Sequence, residues 1–298
     1  WEINGSGFTF AGGLPTGGTV SDISLDLDND SGAIVQELII TGLSASLAGL
    51  SIGVGTALEQ NHFFWRGVLG GADTIDFTSL VDFSQELRFA GDGADLIVDA
   101  GLQIGAADNF IGGPSALRSS SASWIYGDFI TVNSGAFAIG GNDTMSVGAY
   151  VLSGDFGSIL SGATGIGGDD TLAPVSLSDR GASTTFIFGD SVSTLSGTRA
   201  GGDDLIDLRS TNVNGYSGTI RIRGDAEGAS GGNLNGGDDT IYGSSRGDDI
   251  KGEANTISAS RTIGGDDQIW GFGGNDTIDG QTGNDYIEGG AGADLLDG

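Results

Sequence analysis

Short apolar strands recur along the chain from Leu69 onward, and each lies beside a glycine-rich turn. Two patterns alternate. The first is G-[GA]-x-D-x-aliphatic, in which one apolar residue follows two positions behind an aspartate. The second is an aliphatic or aromatic strand that ends in glycine and an acid, as in WIYGD and FIFGD. Strands this short are not stable alone, so we expect them to stack on copies of themselves.

We interpret the two patterns as the two strands of one repeated coil, which predicts an all-β fold built as a parallel β-solenoid. Successive aspartates of the first pattern lie 35 residues apart at Asp204 and Asp239 but 18 apart at Asp267 and Asp285, so the coils shorten toward the C-terminus. The additional residues of the longer coils are interpreted as insertions, the longest over 101–123. About eight coils predict a rod roughly 38 Å long.

The same alignment predicts a thin core with two facing walls. One wall is Ile75, Ile97, Met145, Leu172, Ile206, Ile241, Ile269 and Ile287. The other is Phe89, Ile125, Leu152, Ile187, Ile222, Ile250, Ile278 and Leu296.

The last 36 residues repeat in nines, with Asp267, Asp276, Asp285 and Asp294 at equal spacing. Glycine turns leave carbonyl oxygens free, and stacking would bring the same aspartate of successive coils to about 4.8 Å. Two carboxylates that close repel by about 3–4 kcal/mol at an effective dielectric of 20. A hard divalent cation with oxygen ligands removes this repulsion, and calcium suits flexible coordination better than magnesium.

These nonapeptides resemble the RTX, or haemolysin-type, calcium-binding repeat, G-G-x-G-x-D-x-U-x with U a large aliphatic residue. The resemblance covers 263–298 and extends, more loosely, to 235–251. It implies a parallel β-roll that holds several calcium ions between coils, in a protein secreted by or attached to the surface of a Gram-negative bacterium. The predicted metal ligands are Asp73, Asp95, Asp143, Asp170, Asp204, Asp239, Asp248, Asp267, Asp276, Asp285 and Asp294.

A second column of acids is predicted on the same edge of the solenoid, at the glycine-acid steps: Asp92, Asp128, Asp155, Asp190, Asp225 and Glu253. The opposite edge carries repeat aspartates only in the last coils, at Asp248, Asp276 and Asp294. We therefore predict calcium on both edges near the C-terminus and on one edge elsewhere. Folding would be coupled to metal binding.

Residues 1–62 predict an N-terminal β-rich cap, and 63–298 the solenoid. The cap alternates as strands, with a turn at DNDSG, and loosely resembles a segment that often precedes RTX repeats. Asp26, Asp28, Asp30 and Glu37 have EF-hand spacing, but Ser31 stands where that loop needs glycine, so a hairpin is the preferred interpretation. Ser44 and Thr56 are candidate N-caps of short helices.

Composition narrows the function classes. Of 298 residues 58 are glycine, none is cysteine, and the net charge is −29, which excludes nucleic acid as a natural partner and disfavours anionic membranes. Calcium would replace disulfides as the stabilising element. No apolar run is long enough for a membrane span. Because the chain starts at Trp1 and stops inside a repeat, we expect it to be a piece of a longer protein.

Several motifs indicate other chemistry. The pattern G-x-S-x-G occurs at 49–53 and 243–247, but the single histidine, His62, is a poor triad partner. RGD occurs at 223–225 and 246–248, where the repeat already accounts for the aspartates. Acid pairs leave a glycosidase formally open. A carbohydrate-facing ladder of Trp124, Tyr126, Phe186 and Phe188 competes with simple packing.

The sequence therefore favours a non-enzymatic, calcium-stabilised scaffold of a surface layer, filament or matrix, with end-to-end self-association as a hypothesis and no catalytic residues. The alternative is a non-catalytic export and folding module of a larger secreted enzyme, toxin or adhesin. The residues that precede Trp1 would discriminate between the two.

Overall fold

The computed structural model describes residues 2–11, 14–28, 34–46, 74–76, 87–90, 102–104, 109–111, 123–177, 184–195, 197–230, 233–258 and 261–298. All regular elements in these ranges are β-strands, as predicted. These described ranges contain no helix that is long and apolar enough to cross a membrane.

The N-terminal strands form an antiparallel meander: β1 (Glu2–Ala11), β2 (Leu14–Asp28) and β3 (Ile34–Ser46). Asp26 lies opposite Glu37 in the β2–β3 ladder, so these acids flank a hairpin and not an EF-hand. The helix predicted from Ser44 is wrong in its first turn, because β3 continues through Ser46. The helix predicted from Thr56 lies outside the described residues. β3 then pairs antiparallel with β4 (Thr74–Asp76), which joins the meander to the solenoid.

The solenoid is built from four parallel sheets. Sheet 1 continues from β4 through β7 (Asn109–Ile111), β11 (Thr144–Met145), β15 (Thr171–Leu172), β19 (Leu205–Asp207), β23 (Thr240–Tyr242), β27 (Gln268–Trp270) and β29 (Tyr286–Glu288). Sheet 2 contains β5 (Leu87–Ala90), β8 (Ser123–Tyr126), β12 (Val151–Ser153), β16 (Thr185–Phe188), β20 (Ile220–Arg223), β24 (Asp248–Lys251), β28 (Thr277–Asp279) and β30 (Leu295–Asp297).

Two further sheets occupy what the sequence suggested were insertions. Sheet 3 contains β9 (Phe129–Val132), β13 (Phe156–Ile159), β17 (Ser191–Leu195), β21 (Ala226–Ser230) and β25 (Ala254–Ser258). Sheet 4 contains β6 (Leu102–Ile104), β10 (Phe137–Ile139), β14 (Thr164–Ile166), β18 (Thr198–Ala200), β22 (Asn233–Asn235) and β26 (Arg261–Ile263). The prediction of two strands per coil is therefore wrong for the enlarged coils, which pass through sheets 2, 3, 4 and 1 in turn.

Sheets 1 and 2 form the main lobe, and the register places the predicted wall residues in line. Ile125, Leu152, Ile187, Ile222 and Ile250 pair along sheet 2, for example, and all are fully or almost fully buried. Two wall predictions need correction. Ile75 pairs with Phe110, and Phe110 pairs with Met145, so Phe110 takes the position predicted for Ile97. Leu296 is in register with Ile278 but is 46% exposed, because it lies in the last strand of sheet 2.

Sheets 3 and 4 form a side lobe with its own apolar core. Buried residues of this core are Phe129, Val132, Ala136, Ala138, Phe156, Ile159 and Ala163, continued by Ala226, Leu234 and Ala254. The rings of Phe129 and Phe156 stack with centroids 6.2 Å apart. Strands of three to five residues are stable here because the inner strands of each sheet are paired on both sides along the rod.

The side lobe is inserted into the repeat turn itself. In the last coils the turn runs uninterrupted, as in Gly271 to Asp276, with the second residue, Phe272, at a φ of +67°. In the enlarged coils the same turn starts at Gly127 and Asp128, leaves through β9 and β10, and resumes at Gly140 to end at Asp143. The acid therefore occupies the second position of the turn, and a whole lobe separates it from the third.

Stacked turns approach so closely that some glycines cannot be replaced. A Cβ on Gly237 would overlap the carbonyl group of Gly202 in the neighbouring coil. A Cβ on Gly228, within β21, would have its nearest neighbour, Thr256 O, at 3.9 Å, which is an ordinary contact.

Gly237→Ala should therefore destabilise the folded protein, whereas Gly228→Ala should not. We expect a loss of about 1–3 kcal/mol for Gly237→Ala, because neither backbone can move without breaking the ladder. For Gly228→Ala we expect a change within about 0.5 kcal/mol. Denaturant unfolding in calcium measures both, and equal effects would show that the coils are not stacked in this register.

Candidate metal-binding site

One carboxylate row follows the end of the repeat turn along sheet 1. We call Asp143, Asp170, Asp204, Asp239, Asp267 and Asp285 the repeat row. The Oδ1 atom of each member from Asp170 onward accepts a hydrogen bond from the backbone N–H of the member one coil earlier, at 2.7–3.0 Å. These bonds hold each carboxylate in one orientation and leave Oδ2 free to bind elsewhere.

The opposite edge has a shorter row of the same kind. The Oδ1 atom of Asp276 accepts from the N–H of Asp248 at 2.8 Å, and that of Asp294 accepts from the N–H of Asp276 at 3.1 Å. Asp248 itself accepts from the N–H of Ser244 at 2.7 Å through Oδ2.

The free oxygens point into small cradles lined by carbonyl groups. Asp204 Oδ2 is buried and has no hydrogen-bond partner among the described residues. A Cβ placed on Gly189 would overlap both this oxygen and the carbonyl oxygen of Gly224, so both lie over the bare glycine. The arrangement recurs for Asp170 Oδ2 at Gly154, Asp239 Oδ2 at Gly224 and Asp267 Oδ2 at Gly252. It also recurs for Asp276 Oδ2 at Gly271 on the opposite edge.

A second row of acids closes the interrupted turns. We call Asp128, Asp155, Asp190, Asp225 and Glu253 the waist row, because it lies where the two lobes meet; all five are fully buried. Asp128 accepts from the N–H of Gly141 at 2.8 Å, and Asp190 accepts from the N–H of Gly202 at 2.9 Å. Asp155 and Asp225 accept from Gly168 and Gly237 in the same way. Each of these four aspartates thus joins the two halves of its own turn, whereas Glu253 accepts from the N–H of Thr282 in the next coil.

Gln281 ends this row. The uninterrupted turn of the last coils has Gln281 where the enlarged coils have an acid, and its Oε1 accepts from the N–H of Glu253 at 3.1 Å and of Ala254 at 2.8 Å. The neutral side-chain amide of Gln281 therefore binds the backbone beside Glu253, the last acid of the waist row.

The electrostatics of the two rows favour protonation or a bound cation. Burial, followed by repulsion from neighbouring carboxylates, raises the pKa of Asp155, Asp204 and Asp239 well above the ordinary value. Burial raises the pKa of Asp248 to about 7 and of Glu253 to about 8. The pKa of Asp170 is also raised well above the ordinary value, first by burial and then by repulsion from the Asp143 carboxylate. Burial also raises the pKa of Asp267 to about 7 and of Asp276 to about 6.

Within the described ranges, no three carboxylate or imidazole side chains converge closely enough to hold a metal ion by themselves. A bound ion would therefore take glycine carbonyl oxygens as well as carboxylates. This fits the cradles, in which a buried Oδ2 and a carbonyl oxygen face the same space, and calcium readily accepts both ligand types.

Sequence reasoning missed one charged member of the site, Arg199. Its side chain is 1% exposed, and its Nη2 lies 2.6 Å from Asp190 Oδ2 and 2.9 Å from Asp225 Oδ1. Burial lowers the pKa of Arg199, but Asp190 and Asp225 raise it by more, so the guanidinium stays charged. The missed signal was a lone basic residue at a strand position that the two adjacent coils fill with glycine and leucine.

Two predicted ligands, Asp73 and Asp95, lie outside the described residues. The sheet register bears on Asp95 nonetheless. Thr144 pairs with Asn109, so the sequence position that corresponds to Asp143 is Asp108. The register thus puts Asp108 one residue before the strand position of the repeat row, and the role of Asp73 and Asp95 as metal ligands stays a prediction.

The structure also decides three of the competing motifs. Ser245, the central residue of G-x-S-x-G at 243–247, lies in a turn between two strands and not at a strand–turn–helix elbow. Arg223 and Asp225 of the first RGD are fully buried, which excludes recognition by a receptor. Tyr126 and Phe188 are buried at 2% and 1%, so these members of the aromatic ladder pack inside.

The raised pKa values predict how metal-free protein responds to pH. A carboxyl whose pKa is higher in the folded than in the unfolded state stabilises the fold below pH 4, and this contribution is lost as the pH rises through 6 to 8. We expect the metal-free protein to lose several kcal/mol of stability between pH 5 and pH 8. Thermal unfolding followed by circular dichroism in calcium-free buffer measures this.

Calcium provides the control for this experiment. Calcium binds the deprotonated carboxylates, so in calcium the stability of the folded protein should rise from pH 5 to pH 8. Metal-free protein that is more stable at pH 8 than at pH 5 would contradict the buried, repelling rows.

Comparison with known families agrees with the geometry of the last coils. The family model of the RTX calcium-binding nonapeptide repeat matches residues 264–287 and 270–298, in four copies. No curated protein and no solved structure matches the chain. The C-terminal coils of this β-solenoid are therefore RTX calcium-binding nonapeptide repeats.

Proposed function

We propose that this protein is a calcium-binding extracellular structural protein, in which calcium ions bind along the repeat row through the enlarged coils as well as in the C-terminal repeats. The observation that carries the proposal is the recurrence of one cradle. Asp276 Oδ2 and the carbonyl of Gly289 lie over Gly271 within the matched repeats. Asp204 Oδ2 and the carbonyl of Gly224 lie over Gly189 in the same way, outside them.

Calcium suits these cradles better than magnesium. Their donors are carboxylate and carbonyl oxygens, and the carboxylates are oriented by the ladder hydrogen bonds. Calcium accepts six to eight oxygens at 2.3–2.6 Å in flexible geometry, whereas magnesium requires a near-ideal octahedron at about 2.0–2.1 Å.

Calcium dependence supports an extracellular location. Sites that require millimolar calcium stay empty in the cytosol and fill outside the cell, so repulsion within the rows would destabilise the fold until export. The same repulsion makes the rod dependent on calcium for its stability.

A structural role is supported by how the described acids are used. Ten of the ladder and turn bonds that join successive coils or turn halves end on repeat-row or waist-row carboxylates, including those of Asp170, Asp204 and Asp190. Acids held in this way build the rod, and RTX repeats generally act as non-catalytic modules.

End-to-end association is the finer part of the proposal. The last strands, β29 and β30, each pair on one side only within the described residues, and Leu295 and Leu296 are 66% and 46% exposed. A strand edge with exposed leucines can accept a further strand, either of another coil or of a second β-solenoid. Light scattering with and without calcium tests this, and a monomer under all conditions would contradict it.

Asp204→Asn and Asp203→Asn form a matched pair that tests the ligand assignment. Both aspartates accept one backbone hydrogen bond through Oδ1, which asparagine retains. Only Asp204 is buried in a cradle, whereas Asp203 is exposed. We expect Asp204→Asn to weaken calcium binding at its level by about tenfold or more, equivalent to at least 1.4 kcal/mol, and Asp203→Asn to change it less than twofold.

Calorimetric calcium titration, with magnesium as the control ion, measures this difference. Without metal the order reverses, because Asp204→Asn removes a buried repelling charge and should stabilise the protein. Equal calcium affinity for the two variants would exclude Asp204 as a ligand.

A further inference from the structure

Arg199 occupies an interior position of the side lobe that is small or apolar in the adjacent coils. In sheet 4 it pairs with Gly165 on one side and Leu234 on the other, and Gly165 pairs with Ala138. Ala138, Gly165 and Leu234 are all buried, as is Arg199. Within these four coils, Arg199 is the one charged side chain at this position.

The side chains that face Arg199 from sheet 3 are smaller at this coil than in the preceding ones. Phe129 and Phe156 fill the facing position of sheet 3 in the two preceding coils. Phe156 pairs with Ser191, which in turn pairs with Ala226, and both are fully buried. Two phenyl rings are thus followed by a hydroxymethyl and a methyl group, which leaves space for a long side chain to reach the waist row.

The guanidinium acts there as a point charge between two coils. A single nitrogen, Nη2, contacts both Asp190 and Asp225, which belong to successive turns. The Nε and Nη1 atoms have no hydrogen-bond partner among the described residues. One cationic centre between two carboxylates is the arrangement that a metal ion would produce, and not the paired fork that arginine usually forms.

The earlier levels of the waist row have the same acids without the arginine. Asp155 is fully buried, and the position of its coil in register with Arg199 is Gly165. Of the neighbouring carboxylates, that of Asp170 repels Asp155 most strongly, and its Oδ2 atom is buried without a hydrogen-bond partner among the described residues. Asp155 therefore has carboxylate neighbours and no cationic side chain at the position of Arg199.

We propose that the waist row is a second series of cation sites, one between each pair of successive acids, and that Arg199 permanently fills the site between Asp190 and Asp225. The level between Asp155 and Asp190, for example, takes a divalent cation with oxygen ligands. These sites lie beyond the repeat aspartates of the proposed function, since the acids occupy the second position of an interrupted turn. The successive turns of Asp190 and Asp225 are then joined by Arg199 without a metal ion.

Removing the arginine should open one more site. We expect Arg199→Met to bind one calcium ion more per chain than the unmodified protein, measured by equilibrium dialysis with elemental analysis. Arg199→Lys, which keeps a positive charge, should bind the same number as the unmodified protein. Adding Asp225→Asn to Arg199→Met should abolish the gain. A folded Arg199→Met protein with an unchanged ion count would overturn the inference.

Two further outcomes separate this inference from the proposed function. If the unmodified protein binds no calcium, the proposed function fails. If Arg199→Met does not fold, hydrogen exchange of the unmodified, calcium-free protein decides. The N–H of Gly202, which donates to Asp190, should exchange at least tenfold more slowly than that of Gly168, which donates to Asp155. Equal or reversed rates would show that Arg199 gives its level no metal-independent stability.

Discussion

The structure depends on one constraint: a stacked repeat places the same side chain of every coil in a line at the strand spacing of about 4.8 Å. For isoleucine this makes a continuous apolar wall. For aspartate it makes a line of like charges, and the lines here are inside the rod, since Asp204 and Asp239 are 2% and 1% exposed. Burial and repulsion both disfavour the charged form, so the rod needs protons, metal ions or a buried cation. Arg199 supplies the last of these at one level.

The same constraint explains how a whole lobe can be inserted into a turn. The insertion does not disturb the main lobe, because the acid before it and the glycine after it meet again through a hydrogen bond, as Asp190 and Gly202 do at 2.9 Å. The waist row is thus both the clasp of the side lobe and a source of repulsion. Two apolar cores, one in each lobe, lie on either side of a polar seam. A cation in that seam would stabilise the attachment of both lobes at once.

The walls of the main lobe could be predicted from the sequence, because an aspartate followed two residues later by an aliphatic residue marks each strand without ambiguity in most coils. The prediction failed at Ile97, because the segment around Asp95 has the same local pattern as the strand that pairs in the sheet, at Phe110. Local pattern does not determine register where two candidates follow one another. The side lobe was missed because strands such as Thr198–Ala200 are too short to show a period of two.

The acids of both rows could be located from the sequence, but their environment could not. Nothing in the residue order indicates that Asp190 is fully buried or that a residue nine positions later contacts it. Arg199 escaped notice because one basic residue in a surface-like segment has no pattern, and its role follows only from what lies beside it in the neighbouring coils. Long-range stacking, which the sequence encodes only through register, decides these contacts.

Anomalous diffraction from crystals grown with terbium, a calcium substitute, tests most directly whether the buried rows bind metal throughout the rod. We predict peaks between coils beside Asp170, Asp204 and Asp239 Oδ2 as well as beside Asp276 Oδ2 in the C-terminal repeats. Peaks confined to residues 263–298 would contradict this account, since the enlarged coils would then be stable with their carboxylates buried and no metal between them.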